Sequence, residues 1–331
     1  MSPRSTRETG SETATSTQPS VRTAQLATLY RAEQRRLWSL AYRMTGSAED
    51  SDDVVQEAFA RLVARPPETQ VEDLGPWLRR VATNLGIDAL RRRRRRAYRG
   101  SWLPSPVETS DADWLEAQAS ENPGPEARYG LAESATYAFL LALEALGPRQ
   151  RAVLLLRDVL GCSAAETADL IGASEGNVRV LHLRARRALE EYDESRCIPT
   201  PELLARHRGA LDRLLGCLLS QDAGGLEALL AESVATVTDA AGEYTALATP
   251  MAGRARVARF YLRAALQRRG PGTRIEVRLV NGLPAALITL ERPVRRQAPR
   301  TLLRCELDGA GQIRLVHAIL APRKLAALRP A

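Results

Sequence analysis

The fold is decided by residues 163–189, which contain SAAETADLIGASEGNVRVLHLRARRAL. Ser163 and Glu166 have the S-x-x-E spacing of a capping box, which predicts the start of a helix. The turn Gly172-Ala173-Ser174 then interrupts the apolar periodicity, and its serine can cap a second, longer helix. Two helices joined in this way form a helix-turn-helix. The second helix has an apolar face that can pack the motif, formed by Val178, Leu181, Ala185 and Leu189.

The second helix of this motif is strongly basic. Between residues 176 and 189 it carries four arginines and no acidic residue. A short polar N-terminus followed by arginines suits a helix that contacts base edges in the major groove. A helical hairpin with a solvated basic face would give the same pattern, so the spacing alone leaves both interpretations open.

The residues N-terminal to this motif also have helical periodicity. Apolar residues at three- and four-residue steps predict helices over 24–64, with a break at Thr45-Gly46-Ser47, and a third helix from Pro76 into Arg91–Arg96. We therefore expect residues 24–99 to form an all-α domain. Its charges are sorted by sign, because nine arginines and one acidic residue lie between residues 79 and 99. The second helix instead carries an acidic cluster of Glu49, Asp50, Asp52, Asp53 and Glu57.

Composition excludes several classes of protein. The chain has 331 residues and a formal net charge of +8, and Lys324 is its one lysine among 47 basic residues. The sequence contains neither a run of 18 apolar residues nor an apolar segment near its start, so we predict neither a membrane span nor a secretory signal. Its four cysteines are far apart and form no C-x-x-C pair, which argues against a disulfide framework or a cysteine zinc site. We expect a cytoplasmic protein without a metal or cofactor.

Charge and residue composition divide the rest of the chain into a tail, a linker and two further domains. Residues 1–23 are rich in Ser and Thr, which favours a disordered tail, and residues 100–129 form an acidic, proline-containing linker. A second helical domain is predicted over 130–196. Residues 199–331 begin with helices and continue with four predicted strands, which indicates an α+β domain. These strands are Arg274–Val280, Ala285–Leu290, Thr301–Leu307 and Ile313–Leu320.

Three stretches resemble regions 2 and 4 of the extracytoplasmic-function (ECF) sigma factors, small members of the bacterial sigma-70 family. They are DSDDVVQEAFARLV at 50–63, PWLRRVATNLGIDALRRRRRR at 76–96, and the long segment that runs from residue 143 to residue 189. In addition, YRGSWLPSP at 98–106 resembles a signature of the ECF subgroup with a C-terminal SnoaL-like domain, a cone-shaped α+β fold. The resemblance implies two all-α sigma domains, the second a helix-turn-helix, followed by a SnoaL-like domain.

The resemblance also implies partners and site residues. Core RNA polymerase would bind the chain through its β′ clamp helices and β flap, and promoter DNA would be the second partner. Clamp docking would involve Asp52, Asp53, Gln56 and Glu57. The −10 promoter element would contact Asn84, Asp88, Arg91, Arg92 and Arg95, and binding there should be sensitive to salt. The −35 element would contact Glu175, Asn177, Arg179, Arg184 and Arg186.

Regulation in cis is implied for the C-terminal domain. The subgroup's W-L-P-x-P signature gives Trp102 and Pro104, its D-G-G-G-K turn corresponds to residues 239–243, and its N-P-D-K-L segment corresponds to 321–325. The residues of these two motifs that match are Asp239, Gly242, Pro322, Lys324 and Leu325. The chain departs from the pattern at Glu243, where the subgroup has a basic residue, and in the order His182-Leu183, which places the histidine toward the core.

Two other classes of function remain as alternatives. One is a transcription regulator that binds DNA through the helix-turn-helix without sigma activity. The other is a bifunctional protein whose SnoaL-like domain acts as an isomerase or cyclase or binds a ligand, with Asp239 and His317 as candidate acid–base residues. Asp239 is explained more simply as a turn former and His317 as a structural histidine. We therefore predict no enzyme activity, and a cavity that can accept a small apolar ligand.

Overall fold

A computed structural model of the chain describes residues 18–64, 74–96, 98–109 and 127–329, with side chains from residue 24 onward. Helices α1 (Gln18–Thr45), α2 (Ala48–Ala64) and α3 (Leu74–Arg95) pack against one another as the first helical unit. Helix α1 begins within the segment that was predicted to be a disordered tail. Pro19 lies in its first turn, where the missing amide hydrogen removes no helical hydrogen bond.

The second helical unit contains the predicted helix-turn-helix. It begins with α4 (Leu131–Ser134), α5 (Tyr137–Ala142) and α6 (Pro148–Leu154), and α6 continues as a π-helical turn to Val159. Helices α7 (Ala164–Ile171) and α8 (Glu175–Ala188) form the motif, and the short α9 (Glu190–Glu194) follows. The predicted capping box is present, since the backbone amide of Glu166 donates to Ser163 Oγ and that of Ser163 to the Glu166 carboxylate.

The C-terminal domain is an α+β domain. Helices α10 (Pro201–Ser220) and α11 (Ala223–Leu229) lead into β1 (Leu230–Asp239), β2 (Met251–Ala252) and α12 (Arg254–Arg268). Strands β3 (Thr273–Val280), β4 (Leu283–Leu290), β5 (Arg300–Leu307) and β6 (Ile313–Ile319) follow, and α13 (Pro322–Leu325) comes last. The sheet order is β2-β1-β6-β5-β4-β3, in which β1 and β6 are parallel and the other pairs antiparallel.

Side chains alternate between the two faces of this sheet, as the pleat requires. On β5 and β6, Leu303 and Ala318 belong to the apolar cluster beneath α10, α11 and α12. Their neighbours Leu302 and Ile319 belong to a second cluster, which also contains Leu103 and Tyr137 from outside the domain. The sheet therefore separates the core of the C-terminal domain from the helical part of the chain.

The two helical units share one apolar core. A contiguous cluster of buried residues extends from Leu37 in α1 through Leu85 in α3 to Leu154 in α6 and Leu189. The segment predicted as an acidic, proline-containing linker is in part buried as well, because Leu103 is 1% exposed and Val107 is 4% exposed. Leu103 packs against apolar residues of the C-terminal sheet and Val107 belongs to the core of the helical units, whereas residues 110–126 lie outside the described residues. No helix within the described ranges has the length and hydropathy required to cross a membrane.

Candidate functional site

Helix α2 presents the predicted acidic docking face to solvent. Asp52, Asp53, Gln56 and Glu57 are all exposed, because Val54, Val55, Ala58 and Phe59 occupy the opposite, buried face. Asp52 also has a structural contact, since Trp38 Nε1 donates to its carboxylate over 2.7 Å. Partial burial raises the pKa of Asp52 above its usual range. At the start of the same helix Glu49 pairs with Arg323 of α13 over 3.1 Å, so the C-terminal domain reaches the border of this acidic face.

Helix α3 carries the predicted −10 residues, and the structure divides them into two groups. Asp88, Arg91, Arg92 and Arg95 are exposed, and the first two form an ion pair of 2.9 Å. Asn84 instead donates to the backbone carbonyl of Leu170 in α7, at 3.0 Å. One predicted promoter contact is therefore occupied by the helix-turn-helix of the same chain.

Two further arginines of α3 fix the second helical unit in place. Arg93 donates to Glu144 over 2.5 Å and to the carbonyl of Thr45 over 2.7 Å. Arg94 donates to the carbonyl of Leu146 over 2.5 Å. Glu144 also accepts from the buried Arg151, and the pKa of Glu144 is lowered because these arginines outweigh the effect of its burial. The arginine run is thus partly structural, which the composition of the run did not indicate.

The predicted recognition helix α8 is oriented as its sequence pattern indicated. Val178, Ala185 and Leu189 are buried and Leu181 is partly buried. Four of the five predicted −35 residues lie on exposed surface, with an ion pair of 2.7 Å between the first and third: Glu175, Asn177, Arg179 and Arg184.

The fifth predicted −35 residue has an intramolecular partner. Arg186 donates to the carboxylate of the buried Asp158 at 2.6 and 3.0 Å. His182 lies 2.8 Å from the same carboxylate and Leu183 is exposed, as their order in the sequence predicted. Histidine and arginine contacts lower the pKa of Asp158 despite its burial.

The C-terminal domain contacts the segment that follows α3 through a group that we call the Asp239 cluster: Tyr98, Leu103, Asp239 and Lys324. Asp239, at the end of β1, is fully buried. Its carboxylate accepts from Tyr98 Oη at 2.6 Å, from the Leu103 amide at 2.8 Å and from Lys324 Nζ at 2.5 Å. It also accepts from the Ala241 amide at 3.1 Å, so the predicted role as a turn former is present as one contact among four.

Lys324 completes this cluster with aromatic and backbone contacts. Its ammonium also donates to the carbonyl of Leu103 and lies 4.9 Å from the Tyr98 ring and 4.5 Å from the Trp102 ring. Burial lowers the pKa of Lys324 to about 8, because the charged ammonium loses its hydration. Leu325 is buried in the apolar cluster between the sheet and the helical units, and Pro322 is the first residue of α13.

Two positions beside this cluster favour glycine, because side chains of other residues approach the backbone closely there. Gly242 has a φ of +77°, and a Cβ atom there would lie 2.9 Å from Cδ of Arg99. Gly46 has a φ of +67°, and a Cβ there would lie 2.7 Å from the Trp102 ring. Trp102 is held between this glycine and Arg93, whose guanidinium lies 3.9 Å from the ring centre. The neighbouring Pro104 is buried, and its carbonyl accepts from Tyr137 Oη at 2.6 Å. Six of the seven residues predicted for the cis-regulatory interface thus have contacts there, and the seventh, Pro322, begins the helix that carries Lys324 and Leu325.

A second contact at the same interface was missed by the sequence reasoning. Asn281, 1% exposed in the β3–β4 turn, accepts from the Val107 amide at 3.0 Å. Its Nδ2 donates to Tyr42 Oη of the first helical unit and to the carbonyl of Ala135 of the second, both at 2.8 Å. One side chain therefore joins three parts of the chain. The signal in the sequence was Asn281-Gly282, which is a common hairpin turn and looked sufficient as one.

The two candidate acid–base residues have intramolecular partners. His317 is 1% exposed and its Nδ1 lies 2.9 Å from Arg304, which in turn donates to Glu306 at 3.0 Å. Burial lowers the pKa of His317 to about 4. Asp239 is occupied as described above. Within the described part of the chain, no group of His, Cys, Asp and Glu side chains is arranged to hold a metal ion.

The opposite face of the sheet lines a cavity of about 820 Å³. Its walls are mainly apolar and come from α10, α12 and five strands, with Phe260, Ile288, Leu303 and Leu320 among the lining residues. Neither Asp239 nor His317 contributes to the lining. The cavity and the interface with the helical units thus lie on opposite sides of one sheet.

Comparison with protein families agrees with this arrangement. The model of sigma-70 region 2 matches residues 29–96, and that of sigma-70 region 4 matches residues 137–189. The chain is 34% identical to the ECF RNA polymerase sigma factor SigJ of Mycobacterium tuberculosis over 262 residues, which cover 76% of this chain and 78% of that protein. It is 30% identical to the probable ECF RNA polymerase sigma factor SigI of the same species, over 91% of this chain and 94% of that one.

Similarity extends to a solved structure. The crystal structure of M. tuberculosis SigJ matches with a TM-score of 0.67 and 28% identity, and covers 91% of this chain and 98% of that chain. The match includes the C-terminal domain as well as both helical units. The predicted order of two all-α units followed by an α+β domain is therefore confirmed, and so is the resemblance to sigma factors.

Proposed function

The chain belongs to the ECF group of the sigma-70 family and is an RNA polymerase sigma factor, and we propose that its C-terminal domain regulates it in cis. Regulation would act by holding the two helical units in a closed arrangement. The observation that carries this proposal is Asn281, whose amide contacts Tyr42 in the first unit, Val107 in the connecting segment and Ala135 in the second unit.

Each helical unit has a partner in this proposal. The acidic face of α2 would dock on the β′ clamp helices of core polymerase, and the second unit would contact the β flap. Helix α3 would bind the −10 element through Asn84, Asp88 and the exposed arginines, and α8 would bind the −35 element. The protein would act in the cytoplasm, where the polymerase and the promoter are found.

Geometry supports a closed state that must open before initiation. The positions that name the two elements, −35 and −10, differ by about 25 base pairs, which corresponds to roughly 85 Å of B-form DNA at about 3.4 Å per base pair. In the structure, however, Asn84 of the −10 helix lies 3.0 Å from Leu170 of the helix-turn-helix. The helical units cannot bind both elements while this contact persists. A domain that stabilises the contact would therefore restrain initiation.

The test compares two variants in run-off transcription with purified core polymerase. Asn281→Gly keeps the positive φ of 50° available and removes the three side-chain hydrogen bonds. We expect it to give more transcript than wild type at limiting polymerase, and faster amide exchange in α4 and α5. The control is Gln312→Ala, because Gln312 Nε2 bonds to Ala228 within the C-terminal domain. Equal transcript from both variants would contradict regulation through Asn281, and no transcript from wild type at any promoter would contradict sigma activity.

The C-terminal cavity favours a second role, that of a sensor for a small ligand. A volume of about 820 Å³ lies within the range of about 300–1,000 Å³ that is typical of ligand sites. Catalysis is not part of the proposed function, because Asp239 and His317 lie outside the cavity and have intramolecular partners.

A further inference from the structure

Two residues that line the cavity of the C-terminal domain each have a buried polar atom without a hydrogen-bond partner among the described residues. Oγ1 of Thr301, whose side chain is only 6% exposed, and Nε of Arg268 are both buried without a hydrogen bond among the described residues. Both residues line the cavity. A buried polar group without a partner is costly, so a molecule bound in the cavity would stabilise the domain if it supplied the missing contact to either atom.

The charged residues that line the cavity indicate that the bound molecule is an anion. Four arginines contribute to the described cavity walls, and neither Asp nor Glu does. Three of them, Arg269, Arg295 and Arg296, are exposed at the rim, whereas Arg268 is largely buried at the end of α12. Burial lowers the pKa of Arg268, as expected for a cation without an acidic neighbour. An anion beside Arg268 would compensate this charge in a site otherwise lined by apolar side chains.

We propose that this cavity binds an amphipathic carboxylate, a molecule with an apolar body and one carboxylate group. The guanidinium of Arg268 would pair with the carboxylate and the hydroxyl of Thr301 would donate to it, since planar carboxylates suit arginine. The apolar body would lie against Phe260, Ile288 and Leu303. The proposal adds a carboxylate to the small apolar ligand expected from the sequence, because an uncharged molecule would leave the buried Arg268 uncompensated.

A ligand bound in the cavity would also affect the interface on the other face of the sheet, because residues that line the cavity adjoin residues of the interface at the strand ends. Thr238 lines the cavity, and the next residue, Asp239, belongs to the Asp239 cluster. Leu320 also lines the cavity, and its backbone amide donates to the carbonyl of Asp239 at 2.7 Å. A ligand that moves these strand ends would displace the interface on the other face of the sheet. This consequence rests on the proposed function, whereas the binding itself does not.

The binding test uses dodecanoate, dodecanol and dodecylammonium, at concentrations below micelle formation, with the full-length protein in titration calorimetry. We expect saturable binding of dodecanoate, roughly tenfold or more tighter than that of dodecanol, and the weakest binding for the cation. Dodecanoate binding should weaken roughly tenfold in Arg268→Gln and a few-fold in Thr301→Val. Arg263→Gln is the matched control, because Arg263 is exposed on the same helix and does not line the cavity.

Three results would overturn the proposal: absence of saturable dodecanoate binding, equal affinity of wild type for dodecanoate and dodecanol, or undiminished dodecanoate binding by Arg268→Gln. If Arg268→Gln were misfolded, its dodecanol affinity would fall as well, whereas we expect that affinity to be maintained. The calorimeter contains neither polymerase nor DNA. A negative result in calorimetry therefore does not contradict the sigma function, and a negative result in run-off transcription does not contradict the ligand site.

Discussion

The ion pair between Asp239 and Lys324 joins two parts of the C-terminal domain where it contacts residues 98–103, and we expect its loss to weaken that contact. The two side chains are 0% and 11% exposed, and their charged atoms are 2.5 Å apart. We consider two single substitutions, Asp239→Asn and Lys324→Met, together with the double variant. Arg323→Met serves as the control, because Arg323 lies on the same short helix but its side chain is 78% exposed.

The expected magnitudes follow from what each substitution leaves behind. Asp239→Asn leaves the Lys324 ammonium buried without an anion, which should cost about 3–5 kcal/mol. Lys324→Met leaves a carboxylate that still accepts from Tyr98, Leu103 and Ala241, so the cost should be about 1–3 kcal/mol. The double variant should cost at least 1 kcal/mol less than the sum of the single costs, since the two groups interact directly. Arg323→Met should cost about 0–1 kcal/mol.

Amide hydrogen exchange measures these costs locally. The amides of Leu320 and Ala321 donate to the backbone carbonyl of Asp239 at 2.7 and 3.0 Å, so none of the substitutions removes their acceptor. Their exchange rates therefore report how often the end of β6 and the start of α13 open. A loss of about 3 kcal/mol would raise the rate by roughly 100-fold. Additive costs in the double variant, or a smaller effect of Asp239→Asn than of Lys324→Met, would refute the reasoning.

Three further predictions concern other parts of the chain. Gly242→Ala should weaken the interface by about 1–3 kcal/mol, because its positive φ and the nearby Arg99 both disfavour a Cβ atom; Gly270→Ala, with open space around it, should not alter the exchange of Ala321. Burial lowers the pKa of His317 from 6.5 to about 4, so between these pH values the unfolded chain binds the proton more tightly than the folded chain. The free energy of unfolding therefore falls as the pH drops from 6.5 to 4. Measured by denaturant unfolding over this range, wild type should lose roughly 3 kcal/mol more stability than His317→Gln. Asp53→Lys should abolish binding to core polymerase in a pull-down, whereas Glu190→Lys, an equal charge change on exposed surface of the second unit, should not; equal loss in both would indicate a net-charge effect rather than docking.

The helices can be predicted from sequence, because helix caps and apolar periodicity depend on residues close together in the chain. The capping box at Ser163 and the apolar face beginning at Val178 fixed the helix-turn-helix within a few residues of chain. The interface motifs at Asp239 and Lys324 were found through a family resemblance, not through any local rule. The role of Asn281 could not be predicted from sequence, because its three partners lie 146 to 239 residues away along the chain. In addition, an Asn-Gly pair is already explained by the hairpin turn that it forms.

Partner choice among like residues could not be predicted from sequence either. The run Arg91–Arg96 is uniform in composition, but Arg93 and Arg94 bind carbonyls and a carboxylate of the chain itself while Arg91, Arg92 and Arg95 are exposed. Helical periodicity gives the direction of each side chain but not the element that lies opposite. Asn84 and Arg186, both expected to contact DNA, likewise have intramolecular acceptors.

The sequence by itself determined the two helical units, the α+β domain and the sorting of charge along the chain, because each depends on periodicity and capping within short segments. The tertiary structure alone decided that both units share one core, that Asn281 joins three parts of the chain, and that Arg268 and Thr301 line one cavity. Those features depend on residues far apart in sequence that meet only when the chain is folded. The sheet relates the cavity to the interface, because alternate residues of β1, β3, β4, β5 and β6 face the cavity on one side and the helical units on the other.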